Sequence, residues 1–212
     1  MDQTSGERDK EDLYPIHAFQ ARAGVGMRIL VVNNYGQFCH LIHRALRDLG
    51  VESRLIPNTT PVDELLAGEP DGLVLSGGPS IERIGLCEKY IDEVDLPILG
   101  ICLGHQVIAR RFGAPIRRGE YGGYAEVEIE ILDQDDLFKG LGPREIVWAS
   151  HADEVASLPD EFICLARSEV CEFEAIKHKT RPLYGLQFHP EVAHTRKGNE
   201  ILTNFIEVCR SF

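Results

Sequence analysis

The chain changes character at Met27. Residues 1–26 are polar and mixed in charge and show no sustained hydrophobic period. They are expected to form a disordered or loosely docked extension ahead of a domain spanning 27–212. From Met27 onward, short apolar runs alternate with stretches of helical spacing. Arg28-Ile29-Leu30-Val31-Val32 suits a strand covered on both faces. Leu41, Ile42, Ala45, Leu46 and Leu49 then share one helical face, and Gly50 marks the stop. The same reading gives strands at 54–56, 72–75 and 97–101, and helices at 62–66, 86–94 and 103–112. Such alternation predicts right-handed crossovers and a largely parallel sheet.

The second half is richer in strands. Val127, Ile129 and Ile131 alternate with Glu126, Glu128 and Glu130, the pattern of a half-exposed strand over 125–132. Further strands are predicted at 146–149, 162–166, 174–178 and 183–188. A last helix, 198–210, places Ile201, Leu202, Phe205, Ile206 and Cys209 on one face. No internal repeat or linker divides the chain. The expected fold is α/β: a mostly parallel central sheet flanked by helices, with an additional antiparallel, strand-rich part.

Composition narrows the function. A chain of 212 residues suits one domain with a real core. A net charge of −12, with no basic stripe, argues against nucleic acid or an anionic membrane surface as partner. The pairs Arg110-Arg111 and Arg117-Arg118 are expected to cap or solvate helix and strand ends. The six cysteines contain no CxxC pair, so no metal site is expected. The charged start is unlike a signal peptide and no apolar run approaches ~18 residues, which implies a reduced, cytoplasmic protein. Cys39, Cys87, Cys164, Cys171 and Cys209 then read as packing residues.

Cys102 stands apart. Gly100-Ile101-Cys102-Leu103-Gly104 lies between an apolar strand and a helix. A nucleophile on such a sharp turn needs small neighbours, because the flanking backbones crowd together. The turn aims the side chain out of the carboxyl end of the sheet, where open α/β sheets bind ligands, and the helix start favours an anion there. A thiol nucleophile also needs a base. Of the eight histidines, His17, His40, His43 and His178 read as surface or packing residues, and His105 as lining. His189 follows the strand Tyr184–Phe188 at another carboxyl end, with Glu191 two residues on to orient its ring. The N–H groups of Leu103 and of Gly78, in Gly77-Gly78-Pro79, are candidates for an oxyanion hole. Ser76–Ser80 lacks the x-Asp-Ser ending of an ATP-pyrophosphatase phosphate loop.

Together these segments resemble the triad (class I) glutamine amidotransferases, whose fold is flavodoxin-like. Gly100–Gln106 matches the family's nucleophile motif, Gly185–Glu191 its His/Glu motif and Ser76–Pro79 its oxyanion loop. Glu120-Tyr121-Gly122 and Trp148–Val155 look like the GMP synthetase branch in particular. The resemblance begins near Met27. It implies that Cys102, His189 and Glu191 release ammonia from L-glutamine through a thioester, with the oxyanion at Gly78 and Leu103. Gln106, Ser150 and His151 would hold the substrate, and Asp153 would face a partner. It further implies no cofactor in this chain; ATP and Mg²⁺ would serve a separate ATP-pyrophosphatase subunit that binds XMP and accepts the ammonia. Two rival readings keep the same chemistry: the glutaminase of anthranilate or aminodeoxychorismate synthase, and a γ-glutamyl peptide hydrolase. Ser150-His151-Ala152-Asp153 argues against the chorismate branch, which typically carries a His-Ser pair there. The intact triad argues against a non-enzymatic regulatory domain.

Overall fold

The structure, a computed structural model, describes residues 26–134 and 136–212, with only the backbone for 120–124. Apart from Gly26, the expected N-terminal extension lies outside the described residues, as do the side chains of the Glu120-Tyr121-Gly122 segment.

The first half follows the predicted alternation: β1 (Arg28–Asn33), α1 (Cys39–Asp48), β2 (Glu52–Pro57), α2 (Val62–Ala67), β3 (Gly72–Leu75), α3 (Cys87–Glu93), β4 (Ile98–Ile101) and α4 (Leu103–Arg111). The second half contains β5 (Ile116–Ile131), β6 (Arg144–Val155), β7 (Phe162–Arg167), β8 (Ala175–His178), β9 (Leu183–Leu186) and α5 (Gly198–Ser211). One nine-stranded sheet joins them in the order β2-β1-β3-β4-β9-β8-β7-β5-β6.

The expectation of a mostly parallel sheet needs correction. β2, β1, β3, β4 and β9 run parallel, but every pairing from β9 through β8, β7 and β5 to β6 is antiparallel. The reason is the connections. A parallel return needs a crossover of a dozen or more residues, usually a helix. Between α4 and α5 the described residues contain only a short 3₁₀ turn at Asp136–Phe138, so successive strands there fold back on one another. The sheet is mixed, and the antiparallel part extends it.

Period-2 alternation divides the core. Ile29 and Val31 point to one face, where Ile42 and Leu46 of α1 and Leu202, Phe205 and Ile206 of α5 cover them. Leu30 and Val32 point to the other, under Leu65 of α2, Tyr90 and Ile91 of α3, and Val107 and Ile108 of α4. The arginine pairs lie at element ends as expected, in the last turn of α4 and at the start of β5, and three of the four also form ion pairs. Arg110 and Arg111 bridge to Glu88 and Asp92 on α3, and Arg117 pairs with the buried Glu154.

The turn from β4 into α4 is the tightest place in the fold. A Cβ on Gly100 would lie 2.4 Å from the carbonyl of Gly104, and one on Gly104 would lie 2.2 Å from the Leu75 carbonyl oxygen. These neighbours are backbone and cannot swing aside. The Gly104→Ala protein is expected to be less stable by about 3 kcal/mol, seen as a lower urea midpoint with little change in slope. An unchanged midpoint would show that α4 does not press on β3 as described.

Candidate active site

Cys102 caps α4 with φ +53° and ψ −103°, outside the basins that side-chain-bearing residues prefer. Such a conformation costs about 1–3 kcal/mol and persists only where its surroundings enforce it. Here they do. The Cys102 N–H donates to the Leu186 carbonyl on β9 (2.7 Å), and its own carbonyl accepts from the Gln106 N–H (3.2 Å). The thiol is thereby turned above the carboxyl ends of β4 and β9, with its sulfur 3.7 Å from the Ser150 carbonyl oxygen.

His189 arrives from the next strand. Its N–H donates to the Trp148 carbonyl (3.0 Å), and its own carbonyl accepts from the Thr195 hydroxyl (2.5 Å). That same hydroxyl accepts from the Trp148 N–H (3.0 Å), so one side chain ties the His189 turn to β6. A Cβ on Gly198 would lie 1.8 Å from the Pro190 carbonyl oxygen, so the start of α5 buttresses the turn directly. The ring stands edge-on to Phe38 at 4.9 Å, and its Nδ1 is 2.7 Å from Oε1 of the fully buried Glu191 side chain. Burial alone would discharge this imidazole. The charge of Glu191 and hydrogen bonds to Cys102 and Glu191 outweigh burial and raise its pKa to about 10. The sulfur, the imidazole and the carboxylate are thus brought together in one buried line.

The other cysteines are unlike this. Cys39 lies in the same cavity, but burial pushes its thiol up to about 11. Burial likewise raises Cys87 to about 12, Cys164 to about 11 and Cys209 to about 12, and Cys171 further still. These five remain protonated near neutrality, and among the described residues Cys102 alone has an imidazole partner.

Two cavities meet at the sulfur. One, of about 340 Å³, lies on the His189 side under the Tyr35–Cys39 loop. The other, of about 410 Å³, lies between α4 and β6 and holds Gln106, Ser150, His151 and Asp153. Gly78 borders both, and its N–H donates to no backbone carbonyl among the described residues. Leu103 opens α4, so its N–H has no intrahelical partner. Gln106 Nε2 donates to the Asp153 carbonyl (2.7 Å) and the Gln187 side chain (3.2 Å), which fixes β6 against the helix. His151 Nδ1 is 3.1 Å from the same Asp153 carbonyl, and burial lowers its pKa. His105, expected to line the site, is instead fully buried beneath it against Gly185; burial pushes its pKa down to about 3. His178 packs between Phe112 and Phe162 as expected.

Sequence reasoning missed the loop after β1, where Tyr35 has φ +65° and Phe38 abuts His189. Its position at a strand's carboxyl end was the available signal. It also missed Thr195, Gln187 and Arg118, the last lining the second cavity. No cluster of side chains able to hold a metal ion occurs among the described residues.

A strained thiol with a carboxylate-oriented imidazole at the head of a parallel sheet is the apparatus of covalent acyl transfer. The family model for glutamine amidotransferase class-I matches residues 30–209, and the chain belongs to that family. It is 63% identical to a Methanosarcina barkeri protein named as a glutamine-hydrolysing subunit of GMP synthase, over 88% of this chain and 98% of that one. It is 55% identical to the Archaeoglobus fulgidus protein of the same name, over 87% of this chain and all of the other. Among solved structures, a Thermoplasma acidophilum protein provisionally described as one subunit of a GMP synthase matches with TM-score 0.83 and 43% identity, covering 88% of this chain and 95% of that one. A Thermotoga maritima glutamine amidotransferase, 19% identical with TM-score 0.67 over 85% and 98% of the two chains, supports the fold alone.

The His189–Glu191 pair carries a pH signature. The folded pKa of His189, about 10, lies above its ordinary 6.5. Pairing therefore adds stability that is complete below about pH 6.5 and lost as pH rises through about 10. The stability deficit of Glu191→Gln, from urea unfolding at a series of pH values, is expected to be largest near pH 6 and to shrink toward pH 10. A deficit independent of pH would contradict the charged pair.

Proposed function

We propose that this chain is the glutaminase component of a two-subunit GMP synthase, releasing ammonia from L-glutamine for a separate ATP-dependent subunit that aminates XMP. The observation that carries the reading is the buried line of Cys102, His189 and Glu191, in a chain whose relatives at 54–64% identity are named as glutamine-hydrolysing subunits of GMP synthase. The composition and the absence of a membrane-crossing helix among the described residues are consistent with work in the cytoplasm.

The chemistry follows from the charges. With His189 protonated, Cys102 acts as thiolate and attacks the side-chain amide carbon of glutamine. A carbon–sulfur bond forms, and the carbonyl oxygen becomes an oxyanion held by the N–H groups of Gly78 and Leu103. His189 gives its proton to the departing nitrogen, the carbon–nitrogen bond breaks and ammonia leaves a glutamyl thioester. Neutral His189 then takes a proton from water, which attacks the thioester; the carbon–sulfur bond breaks, glutamate is released and the ion pair is restored. Glu191 fixes the ring and stabilises its charged form. Gln106, Ser150, His151 and Asp153 line the substrate's seat, and Asp153 is expected to face the partner subunit from there.

Cys102→Ala is expected to reduce glutamate release at least about a thousandfold. GMP formation from XMP, ATP and free ammonium by the reconstituted complex is expected to persist. The chain alone is expected to be nearly silent, and glutamate release should rise sharply once the synthetase partner, ATP and XMP are added. Vigorous hydrolysis by the isolated chain would contradict the coupling, and undiminished hydrolysis by Cys102→Ala would contradict the nucleophile.

A further inference from the structure

Glutamine presents its enzyme with two problems at once. The amide must reach the sulfur, and two methylenes away a carboxylate and an ammonium must be held and distinguished from other amides. The cavity between α4 and β6 is bounded by Cys102 at one end. Its remaining polar side chains are unequal to the carboxylate. Ser150 and Gln106 are neutral, and Gln106 spends its Nε2 on Asp153 and Gln187. His151 is kept uncharged by burial, and Asp153 is itself an anion that would repel a carboxylate. Among the described residues one cation lines this cavity, Arg118. It forms no ion pair with any described residue, whereas its neighbour Arg117 is committed to Glu154.

The strand register supplies the geometry. Arg118 on β5 sits directly opposite Asp153 on β6, so the two side chains leave the same face of the sheet as a cross-strand pair. Both line the cavity that ends at the sulfur. We propose that Arg118 is the specificity-determining residue for the α-carboxylate of glutamine, its guanidinium binding that group while Asp153 lies across the head group on the side of the α-ammonium. This rests on the glutaminase reading above and refines it. A planar guanidinium can grip a carboxylate through two parallel N–H bonds, which a lysine ammonium reproduces only in part. The opposed charges select a zwitterion, so amides of peptides and of simple acids are turned away at a point remote from the bond being cleaved.

The test uses the complex with the synthetase partner, ATP and XMP, and two substrates. L-Glutamine is followed as glutamate, and L-glutaminamide, in which a neutral amide replaces the α-carboxylate, as isoglutamine. Arg118→Gln is expected to raise KM for L-glutamine about tenfold or more with kcat within about twofold, and to leave kcat/KM for L-glutaminamide unchanged. Arg118→Lys is expected to restore part of the loss for glutamine alone. An unchanged KM for glutamine in Arg118→Gln would overturn the assignment. Equal losses on both substrates would also overturn it, because a purely structural role would act on both. GMP formation from free ammonium, measured on the same preparations, reports that the complex is intact. Failure of the unaltered complex to release glutamate would sink the glutaminase reading itself, a result separable from any effect at Arg118.

Discussion

The site depends on how closely α4 lies against β3. With Gly104 backed onto the Leu75 carbonyl and Gly100 onto Gly104, the chain has no gradual way to leave β4 and enter the helix. The turn is compressed into one residue, and Cys102 takes the φ of +53° that such a turn demands. Strain is therefore generated by backbone packing and not by the thiol itself. What the molecule gains is a fixed sulfur: the residue is buried yet borders two cavities, and its backbone is held by hydrogen bonds to the neighbouring strand and to its own helix.

Around that point the mixed sheet divides the labour. The parallel half ends in the chemical groups, Cys102 after β4 and His189 after β9, with the Gly77-Gly78 loop after β3. The antiparallel half supplies the wall. β6 passes the site through Trp148, tied to the His189 turn, Ser150, tied to the sulfur, and Asp153, whose carbonyl accepts from Gln106 and lies 3.1 Å from the His151 ring. Thr195 fastens the two halves by accepting from Trp148 and donating to His189.

Much of this was legible in the sequence because the signals were local. The apolar runs at β1, β3 and β4 are buried on both faces and could hardly be read otherwise, and Gly-x-Cys-x-Gly states its own steric requirement. His189 could be singled out because a strand pattern runs straight into it. The parts that escaped are those where the information is long-range. β5 begins at Ile116 and β6 ends at Val155, yet 117–124 is rich in glycine and charge, 150–154 is mostly polar and neither alternates; pairing of Arg117 and Arg118 with Glu154 and Asp153, and of Gly123 and Tyr124 with His151 and Ser150, makes them strands. The predicted predominance of parallel pairing failed for a related reason: strand direction follows from connection geometry, which the chain pattern only suggests. Arg118 was read as a solvated end because nothing in its neighbours announces that Asp153, 35 positions later, would stand opposite it.

The hydrogen bond from the Cys102 N–H to the Leu186 carbonyl has a broader consequence. Sulfur and imidazole descend from adjacent strands, β4 and β9, joined rung by rung from Ile98–Leu183 to Ile101–Leu186. The gap between them is thus set first by the spacing of a β-ladder, about 4.8 Å across, and then by the short turn that Trp148, Thr195 and Gly198 hold. Loops around the rim can lengthen, change charge or accept a new neighbour while the proposed reacting pair keeps its spacing. A scaffold of this kind separates what is transformed from where the product is sent, and each can be altered without retuning the other.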